Sequence, residues 1–449
     1  MRLITRIFGS FKGGVHPPEH KEPTESKPIE RMPLPSRVVI PLQQHTGEMC
    51  EPVVQVGDEV REGQRIGEAR GFISSPVHAS ISGLVATIDS FPHPVIPTPV
   101  RSIVIEGKSP LVPAAWDKIT DWSALSGKDL LDRIRDAGIV GLGGAAFPTH
   151  VKLSPPTGTT VDTLIVNGVE CEPCLTSDHR LMVERFRDVV EGVRILIKVL
   201  GVRRAYIAIE KNKPDAIKIM QEHAASQPLW NGAAVEVVAL KVKYPQGAEK
   251  QLISTILRKE VPSGGLPFHV GVVVQNVGTA FAVYEAVAKG KPLIERVVTV
   301  SGNRLKEPRN LVVRIGPTFA SVIEYAGGIV LGEHRVKVIM GGPMMGIAQY
   351  TLDAPVIKGT SGILVVDEAR PGKTFPCVKC GTCVEVCSMS LMPCRLADFA
   401  ERDDFAGCET YHVRECMECG ACSYACMSNR PLVHLVKYAK LNLSKAKKP

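Results

Sequence analysis

Eight of the thirteen cysteines lie in two runs of identical spacing, and they carry the clearest chemistry in the chain. The runs are Cys377-x2-Cys380-x2-Cys383-x3-Cys387 and Cys416-x2-Cys419-x2-Cys422-x3-Cys426. In such runs the first three thiolates bind one Fe4S4 cluster, and the fourth cysteine binds the other cluster. The spacing therefore predicts a first cluster on Cys377, Cys380, Cys383 and Cys426, and a second cluster on Cys416, Cys419, Cys422 and Cys387.

Zinc is the alternative metal for these cysteines. Structural zinc sites use two separated Cys-x2-Cys pairs that supply four ligands. A third cysteine two residues further on, present in both runs, fits Fe4S4 better. Ser388 and Met427 replace the proline that follows the fourth cysteine in small bacterial ferredoxins, and residues 394–403 favour a helix. We therefore predict a helical dicluster domain at residues 370–435, and not the compact small-ferredoxin fold.

The net charge of +8 lies at the two ends of the chain. Residues 1–14 carry +3 and residues 430–449 carry +6, so the remainder has a net charge of −1. Basic ends suit an anionic membrane surface or an acidic partner better than nucleic acid. A solvated basic tail at residues 436–449, with no partner, is an equally good interpretation of the second cluster of charges.

Neither a membrane span nor a signal peptide is expected. The most apolar stretch, residues 270–288, contains Gln275, Asn276 and Glu285, and the apolar N-terminal run is interrupted by Arg6. We expect a cytoplasmic protein with reduced thiols. The cysteines outside the two runs are expected to be free or structural: Cys50, Cys171, Cys174, Cys394 and Cys408.

Before the cysteine runs, the chain divides into an arm and three domains. Residues 1–35 are rich in proline and predict an extended arm. Residues 36–106 alternate short β-branched strands with glycine turns and resemble the biotinyl/lipoyl barrel-sandwich family, but no lysine lies between Ile66 and Gly83 to carry a cofactor. Residues 126–290 alternate helices and strands, which predicts a Rossmann-like parallel sheet. Residues 295–350 predict a small β-grasp domain of the soluble-ligand-binding type.

A glycine-rich segment at residues 141–152 suggests a second site. Gly141, Gly143 and Gly144 would let backbone N–H groups approach a phosphate, and Lys152 would add a positive charge. Glycine-rich turns without a ligand are common, so this segment alone does not show that a phosphate-containing ligand binds here. The predicted strand 164–166 is followed by Asn167, and open α/β sheets bind ligands at the carboxyl ends of their strands.

The order of these segments resembles the flavin- and NADH-binding subunit of respiratory complex I. The glycine loop is followed by Asn-x2-Glu-x-Glu-Pro, Gly-x-Glu and Asn-Val-x-Thr motifs, although Ala248 and Gln275 replace residues typical of that subunit. In that family these segments hold FMN and stack NADH against it, with the glycines and the lysine at the FMN phosphate and the glutamates at ribose or flavin edge groups. The resemblance implies these cofactor-binding residues: Gly141, Gly143, Gly144, Ala145, Phe147, Lys152, Asn167, Glu170, Glu172, Glu249 and Asn276.

The whole chain resembles the RnfC (RsxC) family, because a barrel-sandwich module and the segment Gly-Gly-Val-His-Pro-Pro at residues 13–18 precede the flavin-type domain. This resemblance implies a multidomain α/β subunit of an ion-translocating ferredoxin:NAD oxidoreductase. Such a subunit passes electrons between NAD(H), FMN and two [4Fe-4S] clusters. It lies peripherally on the cytoplasmic side of the cell membrane, with other membrane-complex subunits, including a ferredoxin-like iron-sulfur subunit, as partners and no nucleic acid.

Cofactor chemistry independently favours this combination. A nicotinamide transfers two electrons as hydride, whereas an Fe4S4 cluster transfers one, and a flavin converts between them. Two alternatives remain. One is the NADH-binding subunit of a soluble hydrogenase or formate dehydrogenase, which the barrel-sandwich module and the N-terminal segment disfavour. The other is a non-redox protein with structural or iron-sensing clusters, which the flavin-type loop disfavours.

Overall fold

The computed structural model describes residues 10–108, 116, 118–119, 121–226, 229–230, 232–368 and 372–445. Within these residues the strands form four sheets, of six, five, four and three strands. The first nine residues of the predicted arm and the last four residues of the predicted tail lie outside the described part.

The arm has little regular structure: residues 10–35 contain one strand, β1 (Ile29–Arg31), and a turn at residues 22–26. This strand pairs in parallel with the segment Arg309–Arg314 of the β-grasp sheet, with Ile29 opposite Asn310. Prolines restrict the backbone here and remove N–H donors, which disfavours a helix. The arm is nevertheless packed, because Phe11, Val15 and Lys21 are buried.

The barrel-sandwich domain consists of two small antiparallel sheets. Its strands are β2 (Arg37–Pro41), β3 (Glu51–Pro52), β4 (Glu59–Val60), β5 (Arg65–Glu68), β6 (Val77–His78), β7 (Gly83–Phe91) and β8 (Val100–Gly107). One sheet has the order β2-β8-β7-β4, and the other has the order β3-β5-β6. Ile40, Ile66, Val85 and Ile103 from both sheets form a fully buried core, as β-branched residues do on packed pleated surfaces.

The central α/β domain runs from Gly127 to Lys289. Its elements are α1 (Gly127–Asp136), α2 (Thr149–Lys152), β9 (Thr163–Gly168), α3 (Ser177–Glu184), α4 (Phe186–Leu200), β10 (Arg204–Glu210), α5 (Pro214–Ser226), β11 (Leu229–Trp230), β12 (Ala233–Leu240), α6 (Glu249–Leu257), β13 (Val272–Asn276) and α7 (Val277–Lys289). The sheet order is β11-β12-β10-β9-β13, and β9, β10, β12 and β13 are parallel.

The sequence of β9 explains its position inside this sheet, between β10 and β13. Leu164, Ile165 and Val166 are all fully buried, because helices cover both faces of a parallel sheet. The strands β9 and β13 end side by side, with Asn167 opposite Asn276. Both predicted asparagines therefore lie at the carboxyl edge of the sheet.

The sheet of the β-grasp domain also includes a strand beyond residue 350. Its elements are β14 (Glu295–Ser301), β15 (Arg309–Arg314), α8 (Phe319–Tyr325), β16 (Val336–Met340), β17 (Ile347–Ala348) and β18 (Gly362–Asp367). The sheet order is β1-β15-β14-β18-β16-β17. Residues 295–350, predicted as this domain, supply β14 to β17, and β18 adds a strand between β14 and β16 whose Ile363 and Val365 are fully buried in the domain core.

The C-terminal module is helical, as predicted. Its helices are α9 (Thr382–Glu385), α10 (Pro393–Ala400), α11 (Phe405–Thr410), α12 (Ala421–Tyr424) and α13 (Leu432–Lys445). No helix within the described ranges is both long and apolar enough to cross a membrane.

The prediction of a separate basic tail from residue 436 is wrong for residues 436–445. They continue helix α13, and Val436, Ala439 and Leu443 are buried in the core of the module. These three residues recur at helical spacing and form an apolar stripe between the lysines. One of the lysines, Lys440, contacts the Cys416 carbonyl. The basic charge of this segment therefore belongs to a packed helix.

Candidate flavin and iron-sulfur sites

The glycine-rich loop between α1 and α2 is closed on one side by protein. Gly141 N donates to Phe147 O (2.9 Å), and Leu142 N donates to Thr279 Oγ1 of α7 (3.0 Å). A Cβ atom on Gly143 would lie 2.7 Å from Asn276 Nδ2, whereas a Cβ atom on Gly144 would meet nothing within 4 Å. The loop therefore leaves open space at Gly144. Gly143 is required for close packing on Asn276, and not only for access of a ligand as the sequence suggested.

The barrel-sandwich domain also contacts this loop. Thr46 Oγ1 donates to the carbonyl of Ala145 (2.7 Å). The ring of Phe72 packs edge-on against His150 in α2, with 6.3 Å between the ring centroids. The barrel-sandwich domain thus helps to fix the loop that follows α1.

Lys152 and Glu249 form an ion pair. Lys152 Nζ lies 2.7 Å from Glu249 Oε1, and the two side chains are 31% and 34% exposed. Glu249 is the first residue of α6, where a negative charge is favourable. The residues predicted to contact phosphate and ribose are therefore neighbours, and both remain accessible to a ligand.

Asn167 and Asn276 hold the ends of their strands. Asn167 Nδ2 donates to Gly247 O (2.8 Å), and Asn276 Oδ1 caps α7 by accepting from Gly278 N (2.7 Å). Asn276 Nδ2 donates to Asp178 Oδ2 (2.6 Å). Burial raises the pKa of Asp178 to about 7, and the Glu170 carboxylate adds to this effect.

Glu170 and Glu172 accept hydrogen bonds from backbone N–H groups. Glu170 has a φ of 47° and accepts from Asp178 N (2.7 Å) at the start of α3. Glu172 accepts from Met344 N (3.0 Å) and Met345 N (2.9 Å) of the β-grasp domain, and burial raises its pKa. Neither is a solvent-facing carboxylate. Their contacts with ribose or flavin edge groups stay a prediction.

Two buried cationic side chains lie behind these loops, and the sequence did not predict either of them. Lys213 Nζ donates to Val169 O (2.7 Å), and Arg296 of the β-grasp domain donates to Leu142 O (3.3 Å). Burial lowers the pKa of Arg296 to about 10. Arg296 comes from a different domain, so no local pattern could have indicated its role.

The two cysteine runs adopt the same backbone conformation. Left-handed residues flank the second cysteine of each run: Lys379 and Gly381 in the first, with φ of 56° and 83°, and Glu418 and Gly420 in the second, with φ of 61° and 79°. Gly381 and Gly420 then cap the short helices α9 and α12. These turns place the cysteines of each run on a tight loop, as cluster ligands require.

The four cysteines predicted for the second cluster surround one cavity. Cys387, Cys416, Cys419 and Cys422 all line it. Burial raises the pKa of the thiol of Cys419 to about 11 and of Cys422 to about 12, and the neighbouring thiols Cys416 and Cys387 add to both shifts. The fourth cysteine of the first run thus lies among the first three cysteines of the second.

The cysteines predicted for the first cluster differ in their exposure. Cys383 and Cys426 share a small apolar cluster, whereas Cys377 is half-buried and Cys380 is exposed. Burial raises the pKa of Cys383 to about 11, and nearby Cys394 and Cys426 contribute. Cys394 was expected to be free or structural, and it lies beside this predicted ligand. In the part of the chain that the structure describes, no three Cys, His, Asp or Glu side chains form a group suited to a single metal ion.

Tyr244 connects the α/β domain with the cavity of the second cysteine set. Its hydroxyl donates to Cys419 O (2.7 Å) and lies 3.5 Å from Glu172 Oε1. Gln251 Nε2 donates to Ser388 O (3.1 Å) across the same boundary. The candidate flavin loops and the second cysteine set are therefore connected through Tyr244.

Three family models match the chain. They are the Nuo51 FMN-binding domain at residues 134–285, the RnfC barrel sandwich hybrid domain at residues 9–109, and the SLBB domain at residues 297–348. The chain is 48% identical to a subunit of the proton-translocating ferredoxin:NAD(+) oxidoreductase complex of Clostridium ljungdahlii, over 97% of this chain and 94% of that protein. The chain belongs to the RnfC family.

A second relative agrees with this placement, and a solved structure shares the fold. The matching subunit of the Na(+)-translocating ferredoxin:NAD(+) oxidoreductase complex of Acetobacterium woodii is 44% identical, over 96% of both chains. The structure of an air-oxidised NAD+-reducing [NiFe]-hydrogenase aligns with a TM-score of 0.50 and 20% identity, over 71% of this chain and 61% of that chain. At this identity the hydrogenase indicates a shared fold alone. The predicted fold class is confirmed by the three family models.

Proposed function

We propose that this chain is a peripheral redox subunit that exchanges electrons between NAD(H) and a ferredoxin-type partner, in a complex whose other subunits translocate ions. Membership of the RnfC family and the match to the Nuo51 FMN-binding domain support this proposal. The soluble hydrogenase or formate dehydrogenase alternative has weaker support, since the likeness to the hydrogenase is one of fold. One relative is named as part of a proton-translocating complex and the other as part of a Na(+)-translocating complex, so the proposal covers either ion.

FMN would bind at the glycine-rich loop in this proposal. Gly141, Gly143, Gly144 and Lys152 would hold its phosphate, and the open space at Gly144 fits such a group. FMN bound there would accept hydride from NADH and release the electrons one at a time. The remaining predicted contacts are Ala145, Phe147, Asn167, Glu170, Glu172, Glu249 and Asn276.

The side chains of this region would keep the site rigid and charged. Asn167 and Asn276 hold the strand ends, and Arg296 fixes the glycine loop through the Leu142 carbonyl. Lys152 and Glu249 offer a charge of each sign at the open side. Fixed polar groups of this kind orient a cofactor without reorganisation.

The two cysteine sets would hold one [4Fe-4S] cluster each, with Cys387 and Cys426 exchanged between the runs. The cavity shared by Cys387, Cys416, Cys419 and Cys422 supports the exchange. Because this set touches the α/β domain through Tyr244, the second cluster would be the neighbour of the flavin. The contact of Tyr244 with Cys419 is the observation that carries the proposed order from NAD(H) to flavin, second cluster and first cluster.

The surface around the first cysteine set suits an iron-sulfur partner. Phe375, Val378 and Met427 are exposed beside Cys380, and a hydrogen bond from Phe375 N to Ser428 O (2.9 Å) joins the two segments. Exposed apolar patches of this kind mark interaction sites. The exposed Lys373 and Lys379 would attract an acidic ferredoxin-like subunit. We infer that such a partner docks here, and that other subunits hold the chain at the cytoplasmic side of the membrane.

An anaerobic NADH titration tests this function. The full chain, reconstituted with FMN, iron and sulfide, is expected to show flavin bands and broad cluster absorbance, both bleached by NADH. Retention of flavin with no bleaching of the cluster absorbance would contradict the proposed order. Failure to retain any flavin after reconstitution would contradict the flavin site.

A further inference from the structure

The segment Gly-Gly-Val-His-Pro-Pro at residues 13–18 has no role in the sites described so far, yet it lies between them. Gly13 and Gly14 have φ of +78° and +83°, a region that favours glycine. A Cβ atom on Gly13 would lie 2.8 Å from the carbonyl carbon and oxygen of Cys387. A Cβ atom on Gly14 would lie 2.7 Å from Tyr244 O. Both glycines are therefore needed for the arm to fit between the second cysteine set and the α/β domain.

Hydrogen bonds attach this segment to both sides. Gly14 N donates to Val386 O (2.8 Å), which precedes the predicted ligand Cys387. Val15 N donates to Tyr244 O (2.8 Å), and Tyr244 N donates to Val15 O (2.9 Å). Val15, Tyr244 and Ala421 of α12 share one buried apolar cluster. The arm therefore fixes the backbone of Tyr244, whose hydroxyl contacts Cys419.

Lys21 attaches the arm to the loop that follows β9. Its side chain is nearly fully buried, and Nζ donates to the carbonyls of Glu170 (3.1 Å), Glu172 (3.0 Å) and Leu175 (2.5 Å). Cys174 N also donates to Glu19 O (2.8 Å). Three carbonyls on one ammonium fix the loop that carries two predicted flavin contacts. Removing the ammonium would leave them unpaired in the interior.

We propose that residues 13–21 set the geometry between the second cluster and the flavin loops, with Gly13, Gly14 and Lys21 as positioning residues for electron transfer between them. This inference rests on the proposed function. The rate of electron transfer falls steeply with distance, so a small shift of the Val386–Cys387 backbone against Tyr244 would slow this step. A Cβ atom on Gly13 would press on the Cys387 backbone and not on the loops predicted to hold flavin, so a change there would spare binding of NAD(H) and reduction of flavin. Loss of the Lys21 ammonium would also release the loop that carries Glu170 and Glu172.

Rapid-mixing spectroscopy on the reconstituted full chain tests the proposal with Gly13→Ala and Lys21→Met. The matched control is Gly158→Ala, because Gly158 has a φ of +86° but a Cβ atom there would meet nothing within 4 Å. For Gly13→Ala we expect flavin bleaching by NADH at the wild-type rate and cluster bleaching several-fold slower. For Lys21→Met, which also releases the loop that carries Glu170 and Glu172, we expect both to be slower. The control is expected to match wild type in both rates.

Hydrogen-deuterium exchange supplies a readout that does not depend on the cofactors. In the arm variants, segments 170–175 and 386–388 are expected to exchange faster than in the control. Faster exchange with an unchanged rate of cluster bleaching, at full iron and flavin content, would overturn the proposal and leave the arm a purely structural element. If Gly13→Ala fails to fold, Gly14→Ala, whose Cβ atom would lie 2.7 Å from Tyr244 O, decides between these outcomes. A wild-type protein whose flavin is not reduced by NADH would instead overturn the proposed function.

Discussion

Exchange of the fourth cysteines predicts different losses from two single substitutions. Cys387 lies in the cavity with Cys416, Cys419 and Cys422, so Cys387→Ala removes a ligand from the second cluster. Cys426 shares an apolar cluster with Cys383, so Cys426→Ala removes a ligand from the first. If the one cluster that loses a ligand is not retained, about four of eight iron atoms per chain would remain in either variant.

The two variants should differ in their response to NADH. The proposed second cluster would adjoin the α/β domain through the contact of Tyr244 with Cys419, and the proposed first cluster would lie towards the exposed Cys380. Cys387→Ala should therefore leave a first cluster that NADH cannot reduce. Cys426→Ala should leave a second cluster that NADH still reduces, while electron transfer to an external acceptor is impaired.

Iron analysis and EPR spectroscopy of anaerobically reconstituted protein check both expectations. Cys50→Ala is the matched control, because Cys50 is buried in the barrel-sandwich core, away from both runs. It should keep about eight iron atoms per chain. Full iron content in Cys387→Ala and Cys426→Ala would refute the exchange of ligands. NADH reduction of the remaining cluster in Cys387→Ala, at the wild-type rate, would refute the order of the clusters.

Three further predictions concern the flavin loop, a buried carboxylate and the C-terminal helix. Gly144→Val should abolish flavin retention and NADH oxidation with iron content unchanged, since it fills the open space at the loop; equal flavin occupancy would refute this. The pKa of Asp178 is raised to about 7 in the folded protein, so its protonated form stabilises the fold at low pH and this stabilisation is lost as the pH rises from about 4 to about 7. Asp178→Asn removes the titrating group and should therefore reduce this loss of stability, measured by urea unfolding. Leu443→Ala should destabilise the C-terminal module by about 2 kcal/mol or more, whereas Leu441→Ala at an exposed position should cost much less; equal effects would contradict the packing of α13.

The sequence predicted those features that depend on local spacing. The cysteine runs, the buried strand at residues 164–166 and the helices at residues 185–200 and 214–226 have strong periodic or motif signals, and the structure contains each of these elements. The packing of helix α13 was not predicted, because the lysines between Val436, Ala439 and Leu443 obscured the helical spacing of these apolar residues. A charge count alone does not distinguish a solvated tail from the outer face of a helix.

Contacts between domains could not be predicted from the sequence. Lys21 contacts the loop after β9, and Arg296 contacts the glycine loop, across separations that leave no periodic pattern. The placement of Tyr244 against Cys419 also depends on how the helical module packs on the α/β domain. The predicted roles of Glu170 and Glu172 came from the resemblance to the flavin-binding subunit, which does not reveal that their oxygens accept from backbone N–H groups.

Electron transfer from NADH through flavin to the second cluster is the central claim, and EPR of the Cys426→Ala protein tests it most directly. After anaerobic reconstitution and addition of NADH, the sample is expected to show the signal of one reduced [4Fe-4S] cluster together with bleached flavin. The same preparation of Cys387→Ala should show bleached flavin without a cluster signal. A reduced cluster signal in Cys387→Ala, with none in Cys426→Ala, would contradict the account.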